Sequence, residues 1–272
     1  MKHALHVLLA LLSAVPAAAL EVRSYTSSEL GFMASSHLIL GQDEAILVDA
    51  QFNRSETLEV VRMVRESGRT LRTVFVTSPL PEHYLGLEFL VADFPEARVL
   101  ARPTTVAAIA ERGQEAIDHW RPIYLDDVAT SVVVPEVLEE ISLLLDGVVI
   151  EIHEVGEADD GALPAALHIP AEETLFASDF VFGGVHPFLA EIPPEVWLRG
   201  LQRLRERVGE VGWVYPGRGQ GGGKTLLDDN ERYLATVAEA LRRSSGGDAA
   251  VRHVRDAFPD YAMPILLERS LR

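Results

Sequence analysis

One passage constrains this chain more than any other. The apolar run Thr73-Val74-Phe75-Val76 is followed at once by Thr77-Ser78-Pro79-Leu80-Pro81-Glu82-His83-Tyr84-Leu85-Gly86, and then by Leu87, Phe89 and Leu90. A run of β-branched and aromatic residues reads as a strand, and the apolar residues after the loop read as a helix. Pro79 and Pro81 stiffen the connection. Glu82 falls at the helix start, where a carboxylate meets the positive end of the helix dipole. The passage is thus a strand–loop–helix unit with an acid and a histidine at its turning point.

The rest of the chain repeats such units. Ser36 to Leu40 and Ala45 to Val48 read as strands joined by the turn Gly41-Gln42-Asp43, and Asp49 ends the second of them. Ser55 is expected to cap a helix carrying Val60, Val61 and Val64, which Gly68 stops. A strand from Ala97 to Leu100 and a helix from Pro103 to Trp120 follow. Strands Ile141 to Leu145 and Val148 to His153 flank Asp146-Gly147, a strong hairpin signal. Strands Ala165 to Ile169 and Thr174 to Ala177 turn through Pro170 to Glu173, and a short strand runs from Trp213 to Tyr215. Helices fit Glu195 to Val208, Leu226 to Arg243, Ala249 to Ala257 and Met263 to Leu271, with Ser244 to Gly247 a loop between two of them. Two similar blocks of strands and helices imply an α/β (α+β) fold of two packed sheets with helices outside, in four αββα layers.

The termini and composition narrow the function classes. Met1-Lys2-His3, the apolar run Leu5 to Val15 and the small residues Pro16-Ala17-Ala18-Ala19 read as a signal peptide, residues 1–19, cleaved near Ala19. The expected location is therefore exported, periplasmic or extracellular, with no membrane span after signal cleavage. Residues 20–272 are expected to form one domain. Cysteine is absent, so an exported chain of this kind is stabilised by its core without disulfides. The formal charge of −17 opposes nucleic acid and anionic membrane as partners. The expected partner is a small molecule or a protein.

In order and spacing, five landmarks resemble the metallo-β-lactamase superfamily. They are Ile46-Leu47-Val48-Asp49-Ala50, the Thr77–Gly86 loop, Val155-Gly156-Glu157-Ala158, Leu175-Phe176-Ala177-Ser178-Asp179 and Val214-Tyr215-Pro216-Gly217-Arg218-Gly219. The resemblance implies a dinuclear zinc hydrolase, in which histidines and a shared Asp hold the metals and a bridging water attacks. It also shows what this chain lacks. Ser78 and Leu80 stand where the first two histidines should be, and Glu82 replaces the Asp. The third histidine of the first metal falls near Glu157, Asp159 or Asp160. The last histidine of the second metal is Arg218. Only His83 and Asp179 keep their types.

A guanidinium is a permanent donor and cannot ligate a metal, but it pairs well with carboxylates. Arg218 is therefore expected to neutralise Glu82, Asp179 or both in place of the missing cation. His186, shortly after Asp179, is a further pocket candidate, more often structural when it stands alone in a loop. The expected pocket is thus Ser78, Leu80, Glu82, His83, Glu157, Asp179, His186 and Arg218. No metal is expected. The alternative is one divalent ion (Zn, Mn or Mg) on Glu82, His83 and Asp179. Two function classes follow: an exported, metal-free, ligand- or partner-binding pseudoenzyme, or a divergent metallo-hydrolase acting on an ester, lactone or amide.

Other chemistries fit less well. Gly217-Arg218-Gly219-Gln220-Gly221-Gly222-Gly223-Lys224-Thr225 misses the phosphate-loop spacing, because Arg218 stands six positions before Lys224. That segment is expected to be a glycine loop at the rim of the site. Ser78 has no nucleophile elbow, and no Ser-x-x-Lys surrounds Lys224.

Overall fold

The computed structural model describes residues 19–156, 164–190, 192–244 and 247–272. Strand pairing divides them into two six-stranded sheets. The first holds β1 (Glu21–Thr26), β2 (Ser35–Leu40), β3 (Glu44–Val48), β4 (Thr70–Val76), β5 (Arg98–Ala101) and β6 (Glu136–Val137), in that spatial order. The second holds β7 (Ser142–Leu145), β8 (Val148–Glu154), β9 (Ala165–Ile169), β10 (Thr174–Gly183), β11 (Trp213–Gly219) and β12 (Gly222–Gly223). β1 to β3 are antiparallel, and β3 to β6 are parallel. In the second sheet the parallel pair is β10 with β11.

Parallel neighbours need crossovers, and helices supply them. α1 (Arg54–Ser67) joins β3 to β4, α2 (Pro81–Tyr84) and α3 (Leu87–Asp93) join β4 to β5, and α4 (Pro103–Tyr124) leads toward β6. α5 (Pro194–Val208) joins β10 to β11, and α6 (Thr225–Ser244), α7 (Asp248–Ala257) and α8 (Pro264–Leu271) complete the chain.

Three apolar clusters give the layers. Val60, Val64, Leu87 and Ile109 of the first helices pack on Leu38, Leu47 and Val74. Ile39, Ile46 and Phe75 meet Ile150, Leu167 and Phe176 between the sheets. Leu201, Leu234 and Val251 pack on Leu175 and Val214. Each such side chain contributes roughly 1.5–3 kcal/mol when fully buried. The result is the αββα sandwich that the alternation of elements implies. Among the described residues no helix is long and apolar enough to cross a membrane.

Local chemistry explains most boundaries. Asp146 and Gly147 adopt φ of 50° and 82°, as a two-residue hairpin requires. Gly68 ends α1 at φ 67°. The start of α1 differs from expectation: Asn53, not Ser55, is the cap, and its side chain accepts from the Glu56 N–H at 3.1 Å. Ser55 instead donates its N–H and hydroxyl to Asp127. The helix expected after the Pro81 loop is split at Leu85-Gly86, where the chain closes on the loop after β3. β10 and β11 run further than expected, and β1, β6 and β12 are additional. The expected signal peptide, apart from Ala19, lies outside the described residues, as do Glu157, Asp159, Asp160 and the two central residues of the Ser244–Gly247 loop.

Candidate functional site

The site forms where β3, β4, β10 and β11 end. After β3 the backbone enters left-handed conformations at Asp49 (φ 62°) and Gln51 (φ 72°). Such non-glycine residues cost about 1–3 kcal/mol each unless the surroundings hold them. Hydrogen bonds do so here. The Asp49 carboxylate accepts from the Thr77 N–H at 2.8 Å and the Thr77 hydroxyl at 2.7 Å. Ala50 N donates to the His83 carbonyl, and Gly86 N donates to that of Gln51, both at 2.9 Å. Glycine is required at position 86, because a Cβ would stand 2.2 Å from the Ala50 carbonyl oxygen and from Thr57 Oγ1. The loop after β3 thus grips α2 and fixes the His83 backbone.

The His83 side chain is fully buried. Its Nδ1 lies 2.9 Å from Asp49 Oδ2, and its Nε2 lies 2.8 Å from Asp179 Oδ2. A carboxylate only accepts, so two such partners require both ring nitrogens to donate, and the ring is an imidazolium. Burial opposes that charge, but the adjacent Asp179 and Asp49 outweigh it and hold the His83 pKa well above the usual imidazole range. Asp179 sits on β10 directly after Ser178, which has φ 49° and whose hydroxyl lies 2.6 Å from Thr77 Oγ1. Gly217 leaves room for this arrangement, since a Cβ there would approach Asp179 Oδ1 to 2.6 Å.

Arg218, on β11, completes the cluster. Its buried guanidinium is ion-paired with Glu82, and its Nε faces Asp179 Oδ1 at 3.5 Å, outside hydrogen-bond geometry. Nη1 also donates to the Phe32 carbonyl at 3.2 Å. Burial pulls the Arg218 pKa down to about 9, so the group remains charged at neutral pH. His83 and Arg218 therefore answer Asp49, Asp179 and Glu82, which leaves one net negative charge. This is an interior ionic network with its own cations.

A cavity of about 490 Å³ opens over Glu82 and Arg218. Phe32, Leu80, Tyr84, Trp120 and Phe188 line it, and Arg112 and Arg269 are exposed at its edge. Trp120 of α4 packs edge-on against Phe32, with ring centroids 5.3 Å apart.

The expected pocket residues separate into groups. Glu82, His83, Asp179 and Arg218 converge. Leu80 lines the cavity with its apolar side chain, while Ser78 is buried in the loop and its hydroxyl oxygen accepts from the Leu80 N–H at 3.3 Å. Glu157 lies outside the described residues. His186 is not brought to the pocket. It packs with Tyr261 among the outer helices, its Nδ1 lies 2.8 Å from the Tyr233 hydroxyl, and burial lowers its pKa to about 4. The glycine segment also differs from expectation. Gly217 and Gly219 belong to β11, Gly222 and Gly223 pair back with Val214 and Trp213, and these glycines do not line the cavity. Sequence reasoning missed Asp49, Thr77 and the Phe32 carbonyl as members of the network. An acid closing an apolar strand was the available signal for Asp49.

The facing mixed sheets, the helical outer layers and the acid–imidazole cluster at the strand ends define the metallo-β-lactamase fold, and solved structures bear this out. The chain superposes on TMB-1 with a TM-score of 0.59 and 17% identity, covering 82% of this chain and 100% of that one. Against DIM-1 metallo-β-lactamase exposed to ceftazidime the TM-score is 0.60 at 20% identity, covering 82% and 99%. Against a metallo-β-lactamase from Pontibacter korlensis it is 0.60 at 18% identity, covering 80% and 99%. At these identities the likeness is one of fold. No protein-family model and no curated protein matches the chain.

The side chains present do not fit the dinuclear zinc centre that this fold implies. Leu80 has no lone pair to give. The Ser78 hydroxyl is engaged within its own loop. His83 has both nitrogens occupied by carboxylates, and Arg218 places a fixed cation where a ligand is needed. Donor atoms of Glu82, His83 and Asp179 do lie within 4.8 Å of one another. To share one ion, Arg218 would have to leave Glu82 and His83 would have to give up a proton.

Proposed function

We propose that this chain is an exported metallo-β-lactamase-fold protein, a single domain after residue 19, in which an ion-pair network replaces the metal centre. It acts as a ligand- or partner-binding pseudoenzyme rather than as a metal-dependent hydrolase. The observation that carries this reading is the double engagement of His83 by Asp49 and Asp179, reinforced by Arg218 against Glu82. A metal ion entering this network would have to displace the two protein cations that already pair with its acids. The cavity supports a small amphipathic ligand. Its apolar part would lie against Phe32, Trp120 and Phe188, and an anionic end would face Arg112 and Arg269. Export rests on the N-terminal sequence.

The closeness of Glu82, His83 and Asp179 favours one second reading, a hydrolase with a single divalent ion (Zn, Mn or Mg) acting on an ester, lactone or amide. Elemental analysis of protein purified without chelator separates the two when repeated on His83→Ala and Asp179→Asn. The pseudoenzyme reading expects both variants to hold the same metal content as the parent, and Arg218→His to gain no zinc. An ion lost from both variants, together with loss of a hydrolytic activity, would establish the second reading instead.

A further inference from the structure

A second cluster of metal-ligand side chains lies away from this pocket, on the outer face of the second sheet. Glu151 and His153 are two apart on β8 and so share a face, and His168 of β9 is paired directly opposite Glu151. The alternating neighbours Ile150, Ile152, Leu167 and Ile169 point into the core between the sheets, so the three polar residues point outward. His153 Nε2 lies 3.2 Å and His168 Nδ1 lies 3.7 Å from Glu151 Oε2, and the three donor atoms lie within 4.8 Å of one another.

Two features set this cluster apart from a chance grouping of surface polar residues. His168 is 4% exposed, yet neither of its ring nitrogens has a hydrogen-bond partner among the described residues, and His153 Nε2 has none either. A buried polar atom left unsatisfied costs about 1–3 kcal/mol, and one ion shared by His153 Nε2 and His168 Nδ1, the two nitrogens that face Glu151, would satisfy both. The spacing also suits such a partner. Ligands of a tetrahedral zinc ion with bonds of about 2.0–2.1 Å stand about 3.3 Å apart, so small side-chain rotations would bring these donors to bonding distance.

From this geometry we infer that His153, His168 and Glu151 form a zinc site, with a water molecule as the fourth ligand. Two imidazoles and one carboxylate favour zinc over magnesium or calcium. The ion would bind across adjacent strands and tie β8 to β9. The site shares no side chain with the His83 network, and it stands whether or not the reading of that pocket is right. Arg207 of α5, which donates to the Glu154 carbonyl at 3.0 Å, brings an opposing positive charge toward His153 and moderates the affinity.

The test is calorimetric titration of chelator-stripped, full-length protein with zinc chloride, supported by the visible spectrum of the cobalt(II) form. The expected result is one zinc per chain and a tetrahedral cobalt spectrum. His153→Gln, His168→Gln and Glu151→Gln should each weaken zinc binding by at least about 100-fold, more than losing an outer-shell partner would. Glu151 and His153 reach solvent, so their variants carry the test if His168→Gln fails to fold. Absence of zinc binding overturns the inference. So does a zinc stoichiometry that neither His153→Gln nor Glu151→Gln lowers, or one that His83→Ala brings to zero.

Discussion

Replacing Arg218 with methionine removes the guanidinium while keeping an unbranched stem. The Arg218 side chain is 3% exposed, and its partners Asp179 and Glu82 are 3% and 11% exposed, so solvent screens the stranded acids only weakly. Removing one member of a buried pair costs about 3–5 kcal/mol, because the other charge is left stranded. At about 2–4 °C per kcal/mol for a domain of this size, Arg218→Met should lower the melting temperature by roughly 10 °C. Chemical and thermal unfolding of Arg218→Met, Glu82→Gln and the double variant provide the assay. Glu82→Gln removes the charge that is stranded, so the double variant should lose less than the two single losses added together, with a coupling of about 2 kcal/mol. An Arg218→Met loss below about 1 kcal/mol, the level of a surface ion pair, would refute a buried network. Simple additivity of the two variants would do the same.

Two further perturbations test the same cluster. The raised pKa of His83 means that its proton favours the folded state: the contribution is complete below about 6.5, the usual value in an unfolded chain, and is lost as pH rises through the folded-state value. Wild-type stability should therefore fall between pH 7 and 9 relative to His83→Gln, by at most about 1.4 kcal/mol per pH unit, and matching pH profiles in thermal unfolding would contradict the assignment. Gly217→Ala would place a Cβ 2.6 Å from Asp179 Oδ1; the expected loss is about 1–3 kcal/mol, and an unchanged unfolding midpoint would show that Asp179 is not confined there.

Much of the architecture was legible because local rules agreed with one another. The β-branched runs, the Asp146-Gly147 turn and the Gly68 stop marked elements that the sheets then used. Other features depend on tertiary partners. β1 has little apolar alternation and exists through its pairing with β2. β11 continues through Pro216, beyond the expected short strand, because β10 pairs alongside it. In the site, the acidic and cationic residues could be named from their positions in a known frame. The pairing of Arg218 with Glu82 was legible too, but the bridging of Asp49 and Asp179 by His83 was not, because it depends on Asp49 being turned by a left-handed backbone toward His83. His186 takes the structural role expected of a lone loop histidine, and its nearness in sequence to Asp179 does not bring it to the pocket, because the chain departs toward the outer helices.

The state of the whole cluster turns on the protons of His83. Nitrogen-15 spectra of the histidine rings, with His83 assigned by its absence from His83→Gln, read them directly. At neutral pH His83 should show both ring nitrogens protonated, and adding excess zinc should leave both signals unchanged. A bare or metal-bound nitrogen on that ring would contradict the account.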